Sequence, residues 1–136
     1  MAVARMTVCE WQGASVKKQV ITNPTLAQVE AAVRRLDNAG FNDLYLEPIA
    51  EDTESWLCVG GGAGRYLVSG ALSNLRFPTL VDPDRQAHPA EELVVGGQEG
   101  SYPRNQIHDL DTTLRAVREF WSQGRFGGAG LHWIDA

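Results

Sequence analysis

The chain has 136 residues, 43% of them hydrophobic and 21% charged, with a formal net charge of −5. That is one domain's worth of ordinary globular composition, enough to bury a core, which disfavours disorder. The acidic balance disfavours nucleic acid as a partner and suits a basic protein surface.

Residues 2–10 and 15–22 read as two strands joined by a turn at Gln12-Gly13, the alternation Val16, Lys18, Val20 fitting a half-buried hairpin arm. Asn23-Pro24-Thr25 then opens a helix. Thr25 and Gln28 stand at capping-box spacing, and Leu26, Val29, Val33 and Leu36 recur at helical spacing as one buried stripe. Gly40 is the expected C-terminal stop. A meander follows: Leu44 to Leu46 closed by Pro48, Ser55 to Val59, a turn at Gly60-Gly61-Gly62-Ala63-Gly64, then Arg65 to Ser69, Leu75 to Val81 and Glu92 to Val95. The stretch 82–90, with two prolines and mixed charge, is a loop, and Gln106 to His108 is a further short strand. A second helix is expected over 110–123, capped by Asp109 or Asp111 and ended by Gly124, with Leu110, Leu114, Val117 and Trp121 on one face beside Phe120. Leu131 to Ile134 alternates as a last strand. The order predicts an α+β fold in one domain over residues 1–136: a mostly antiparallel sheet of about seven to nine strands with two helices packed on it.

Tests for chemistry fail on spacing. The run Gly60–Gly64 lacks the third glycine of a dinucleotide fingerprint, since Arg65 and Leu67 stand where it would fall, and no Gly-Lys-Ser/Thr follows. A strand rather than a helix comes next, so there is no helix N-terminus to hold phosphate. His88, His108 and His132 have no partner at helical ligand spacing, and Cys9 and Cys58 form no CxxC pair, so no metal site is expected. The two cysteines sit in apolar strands and read as reduced core thiols. Ser69 lacks a nucleophile elbow. No catalytic residue and no cofactor follows from these patterns. A pocket near Tyr66 and His108, serving a small ligand or an enzyme, is the alternative. No window approaches the ~18 apolar residues of a membrane span. The start Met1-Ala2-Val3-Ala4-Arg5 lacks the apolar run of a secretory signal, so a cytoplasmic protein without membrane attachment is expected.

Carboxylates gather in loops beside aromatic residues. Glu47, Glu51, Asp52 and Glu54 lie near Trp56, and Gln98 and Glu99 lie near Tyr102. These eight form the candidate contact face for a protein partner, with the aromatic side chains as anchors.

Three segments carry a family resemblance. They are Leu57-Cys58-Val59-Gly60-Gly61-Gly62 running into Tyr66-Leu67-Val68-Ser69; Val94-Val95-Gly96-Gly97-Gln98-Glu99-Gly100-Ser101-Tyr102-Pro103; and Asp109-Leu110-Asp111 leading to Phe120-Trp121-Ser122-Gln123-Gly124 and Leu131-His132-Trp133. Together they resemble the first-numbered family of bacterial polymorphic-toxin immunity proteins, over roughly residues 25–134. The resemblance implies an α+β immunity protein, not an enzyme, that neutralises a toxin encoded beside it, often a nucleic-acid deaminase, by binding the toxin's catalytic domain one to one. It also implies a structured loop at Gly96, Gly97, Gln98, Tyr102 and Pro103 and a closing aromatic at Trp133. Whether that loop touches the toxin or shapes the fold stays open at the level of sequence.

Overall fold

Alternation of apolar and polar residues dictates the first pairing. β1 (Val3–Gln12) turns at Gly13 and Ala14 into β2 (Ser15–Thr22), with Arg5 opposite Thr22 and Gln12 opposite Ser15. The computed structural model describes residues 3–48, 55–72, 76–128 and 130–135.

The expected capping box starts α1 (Leu26–Arg35). The Thr25 hydroxyl accepts from the Gln28 N–H at 3.1 Å, and the Gln28 side-chain oxygen accepts from the Thr25 N–H at 2.9 Å. Val29, Val33 and Leu36 are buried as the spacing predicts, whereas Leu26 is only half-buried. The helix stops before Gly40, however. Leu36 is already extended, and the Asp37 carboxylate accepts from the Ala39 and Phe41 N–H groups at 2.9 and 3.0 Å. An aspartate that binds backbone N–H groups ahead of it offers the chain a turn in place of another helical turn.

β3 (Asp43–Pro48), β4 (Trp56–Gly62), β5 (Arg65–Ala71) and β6 (Pro78–Val81) follow as antiparallel neighbours. The expected turn over 60–64 shrinks to Ala63 and Gly64, because Gly60, Gly61 and Gly62 belong to β4. Crowding accounts for the glycines there. A Cβ on Gly60 would lie 2.6 Å from a Val95 methyl, and one on Gly62, at φ +130°, would lie 2.3 Å from the Leu36 carbonyl carbon. The strand expected from Leu75 begins at Pro78, and residues 73–75 lie outside the described ones.

β7 (Glu91–Val95) and β8 (Gln98–Tyr102) form a separate two-stranded hairpin around Gly96-Gly97. β8 has no apolar alternation to signal it; the glycine turn and its partner make it a strand. A single 3-10 turn (Arg104–Gln106) leads to β9 (Ile107–His108), α2 (Leu110–Gln123) and β10 (His132–Asp135). Asp109 caps α2 by accepting from the Thr112 N–H at 2.8 Å, and Gly124 ends it at φ +66°.

The main sheet runs β10-β6-β5-β4-β3-β1-β2, with β9 paired beside β5, so the chain is α+β with a mostly antiparallel sheet and two helices. Both helices pack on one face. Met6, Val8, Leu44, Leu46, Leu57, Val59, Val68 and Leu80 meet Val29, Val33, Leu114, Val117 and Phe120 there. Each fully buried side chain of this size contributes about 1.5–3 kcal/mol. Trp121 donates its indole N–H to the Pro24 carbonyl at 3.0 Å and joins the helices' two ends. Trp133 closes the core edge-on to Phe126, ring centroids 5.2 Å apart.

Candidate protein-binding face

In a strand, successive side chains leave opposite faces. Since Met6, Val8, Leu44, Leu46, Leu57 and Val59 meet the helices, the far face receives Arg5, Thr7, Cys9 and Trp11 from β1, Asp43, Tyr45 and Glu47 from β3, and Trp56, Cys58 and Gly60 from β4. The register sets Val20, Thr7, Tyr45, Cys58, Ser69, Thr79 and Ile134 side by side in one row across the seven strands from β2 to β10.

Asp43 anchors this face. It is 1% exposed, and its two carboxylate oxygens accept from the Trp11 indole N–H at 2.8 Å and the Tyr45 hydroxyl at 2.9 Å. A buried carboxylate needs such donors, and here they lock two aromatic rings in place. Cys9 and Cys58 flank it, buried and unbonded to each other. Burial, reinforced by the Asp43 charge, pushes the Cys9 thiol up to about 11 and the Cys58 thiol up to about 12. Both are thiols rather than thiolates near neutrality and make poor nucleophiles, in keeping with the reading of reduced core cysteines. Burial also raises the Tyr45 phenol, with Cys58 and Asp43 adding to it.

The hairpin covers part of the far face. Leu93 joins Leu67 and Ile107 in a second apolar cluster, to which Val95 and Tyr102 add. Asn38 and Asn42, just after α1, hold it down: their side-chain oxygens accept from the Val94 N–H at 2.7 Å and the Gly97 N–H at 3.0 Å. Gly97, at φ +76°, lies so close to Trp11 that a Cβ would fall 2.5 Å from the indole. The Gly-Gly turn therefore has a packing task of its own.

The predicted contact residues separate into groups. Glu47 and Trp56 share the far face, and Trp56 packs edge-on to Tyr45 with centroids 5.8 Å apart and planes at 74°. Glu47 is not a free charge, because Arg5 grips both its oxygens, the Nε bond being 3.1 Å. Tyr102 is half-buried against the second cluster. Gln98 and Glu99 are exposed on β8, but Glu99 faces Val94, on the side of the hairpin opposite Leu93 and Val95. It sits with Glu92, whose carboxyl it pushes above the ordinary range by hydrogen bonding and like charge. Glu51, Asp52 and Glu54 lie outside the described residues. Sequence reasoning missed Tyr45, Thr7, Arg5 and Val20, although the alternation Asp43-Tyr45-Glu47 leading toward Trp56 carries the signal for the first of them.

The alternative pocket does not form as expected. A cleft of about 400 Å³ does open beside His108, with Asp82, Asp84, Arg85, Asp109 and His132 on its walls. Tyr66 is not among its lining residues and lies 3% exposed in the main core. The His108 Nε2–H donates to the Leu80 carbonyl at 2.8 Å, and burial holds the imidazole below its ordinary pKa. Among the described residues, no group of three His, Cys, Asp or Glu side chains could hold a metal ion, and no helix is long and apolar enough to cross a membrane.

The model of the Imm1 family, described as immunity protein Imm1, matches residues 17–134. Neither a curated protein nor a solved structure matches the chain.

Proposed function

The chain belongs to the Imm1 family of immunity proteins, and on that premise we propose that it binds the catalytic domain of a toxin encoded beside it and occludes that domain's active site, one to one, in the cytoplasm of the producing cell. The family match over residues 17–134 is the observation that carries this reading. Binding, not turnover, is the proposed activity. The target we propose is a nucleic-acid deaminase. Any enzyme that grips nucleic acid presents a basic groove, and a chain of net charge −5 approaches such a groove with long-range attraction.

The proposed contact face is Glu47, Glu51, Asp52, Glu54 and Trp56 with Gln98, Glu99 and Tyr102. The Arg5–Glu47 pair and the Trp56–Tyr45 contact shift its expected energetic centre. A carboxylate already held by a guanidinium has little charge left to offer, whereas a half-buried tryptophan braced by a tyrosine is the kind of rigid aromatic that dominates interfaces. Tyr45 therefore joins the proposed face. A small ligand in the cleft beside His108 is the second reading, supported by that cleft alone.

The test is co-expression with the toxin domain encoded by the adjacent reading frame. Rescue of growth supports the function, and lethality undiminished by the immunity chain overturns it. Charge reversal at Glu51 and Asp52 should slow association; unchanged binding kinetics would remove those residues from the face while leaving the function standing.

A further inference from the structure

β2 is the last strand of the main sheet. Seven of its eight residues are exposed, Ile21 being the half-buried exception. Its hydrogen-bonding phase is fixed by the Asn23 N–H, which donates to the Ala4 carbonyl at 2.7 Å. With Arg5 opposite Thr22, Ala4 and Asn23 form a hydrogen-bonded pair, and such pairs recur at every second residue. Ser15, Lys17, Gln19 and Ile21 thus spend their backbone groups on β1. Val16, Lys18, Val20 and Thr22 turn theirs outward, where no described strand meets them.

The side chains along this edge are not neutral filler. Val16 and Val20 are 38% and 55% exposed, two of the large apolar side chains most open to water. Lys17 and Lys18 have no ion-pair partner among the described residues. Lys17, Lys18 and Gln19 also line a groove of about 400 Å³ whose other wall is Arg35 over the Phe41 ring, with Glu10, opposite Lys17, as its one carboxylate against three cations. The result is a basic, partly apolar notch beside an open strand edge, on a chain whose net charge is negative.

We propose that β2 is a strand-addition site, and that the occupant is an extended segment of the partner toxin carrying acidic residues opposite Lys17 and Lys18 and an apolar residue opposite Val20. This rests on the reading of the chain as a toxin-binding protein. Main-chain bonds to Val16, Lys18, Val20 and Thr22 supply affinity and the two lysines choose the occupant. The same lysines work against a second copy of this chain, since pairing about the middle of the strand would crowd lysine against lysine. The site is continuous with the proposed contact face, because Val20 lies opposite Thr7 and Thr7 opposite Tyr45. One toxin can therefore cover both.

The experiment measures binding of the toxin domain from the adjacent reading frame to the full chain and three variants. Val20→Pro removes one outward N–H and leaves the bonds to β1 intact, a position where an edge strand tolerates proline. It should weaken binding by about tenfold or more, whereas Val20→Ala, which keeps the N–H, should weaken it less. Lys17→Glu with Lys18→Glu should also weaken binding. Amide exchange followed residue by residue should show Val16, Lys18, Val20 and Thr22 becoming protected in the complex. Wild-type binding by both the proline and the double glutamate variants, or unchanged exchange at those four amides, overturns the strand-addition site while the toxin reading stands. A wild-type chain that fails to bind the toxin domain overturns both.

Discussion

Substituting Gly60 by alanine tests the docking of the β7–β8 hairpin onto the sheet. The added Cβ would sit 2.6 and 2.8 Å from the two Val95 methyls and 3.2 Å from the Val95 Cβ. Carbon atoms prefer about 3.5–4.0 Å, so Val95 and the hairpin with it must retreat by roughly 1 Å. The two asparagine hydrogen bonds, at 2.7 and 3.0 Å, have little slack for that. Overpacking of this kind costs about 1–3 kcal/mol. For a chain of this length, each kcal/mol lowers the midpoint by roughly 3–4 °C, so Gly60→Ala should melt about 3–12 °C lower than the wild type. Val95→Ala alone removes two methyls from the second cluster and should cost about 1–2 kcal/mol. In the double variant the new Cβ occupies the vacated space, so the two costs should fall short of adding by about 1 kcal/mol. Urea unfolding of the four proteins gives the coupling directly. Additive costs, or a double variant worse than the sum, would refute the claim that Gly60 is glycine because Val95 fills its place.

Asp43→Ala should destabilise the chain by about 2–5 kcal/mol, since it strands the Trp11 and Tyr45 donors in a buried site; chemical unfolding measures it, and Asp43→Asn, which keeps an acceptor oxygen, should cost less. Neither cysteine should react at pH 8 with a thiol reagent in the native chain, and both should react once it is unfolded. A thiol pKa raised by folding means stability is whole below about pH 9 and declines as pH climbs toward 11–12, which thermal melts from pH 8 to 11 will record. His108 gives the opposite dependence: its lowered pKa makes the unfolded chain take up the proton first, so stability should fall as pH drops below about 6.5, and His108→Gln should flatten the change between pH 7.5 and 5.5.

Most helix boundaries and the strand alternation were legible where one local signal decided the matter. The capping box at Thr25 and Gln28, the aspartate cap at 109 and the terminal glycine at 124 all act within a few residues of chain. The Asp37 turn that stops α1 short of Gly40 is just as local and went unread. The other misses came where distant contacts decide. Gly60–Gly62 read as a turn because glycine is common in turns; they continue β4 opposite Arg65 to Leu67, and Gly60 and Gly62 are glycine because Val95 and the Leu36 carbonyl, both far away in sequence, leave no room for a side chain. β8 was invisible because its partner, not its own pattern, makes it a strand. The candidate face suffered likewise. The alternation leaves Glu47 on the far face, but only the fold shows that Arg5, 42 positions earlier, holds its charge. Tyr45 shares that alternation, but only the register and the ring contact placed it beside Trp56.

One consequence of the glycine-rich segments joins fold to function. The helices cover the centre of one face of the sheet, which leaves the other face and the β2 edge as the open sheet surface for a large contact. There the hairpin seals the end bearing Trp11, Gly60 and Leu67, and it does so only because Gly60 and Gly97 lack side chains. Were the hairpin to lift, Leu93 and Val95 would leave their apolar partners and Asp43 would sit nearer to water. With it docked, the Trp11 and Tyr45 donors stay on Asp43, and Tyr45 in turn braces Trp56. On the contact face proposed above, a variant that loosens the hairpin should therefore weaken toxin binding through Trp56 without touching the partner. Gly97→Ala combined with Trp56→Ala distinguishes this from direct contact at the turn: if the loop acts through Trp56, Gly97→Ala should add little to the loss already caused by Trp56→Ala. Full additivity of the two would place the Gly-Gly turn in the interface itself.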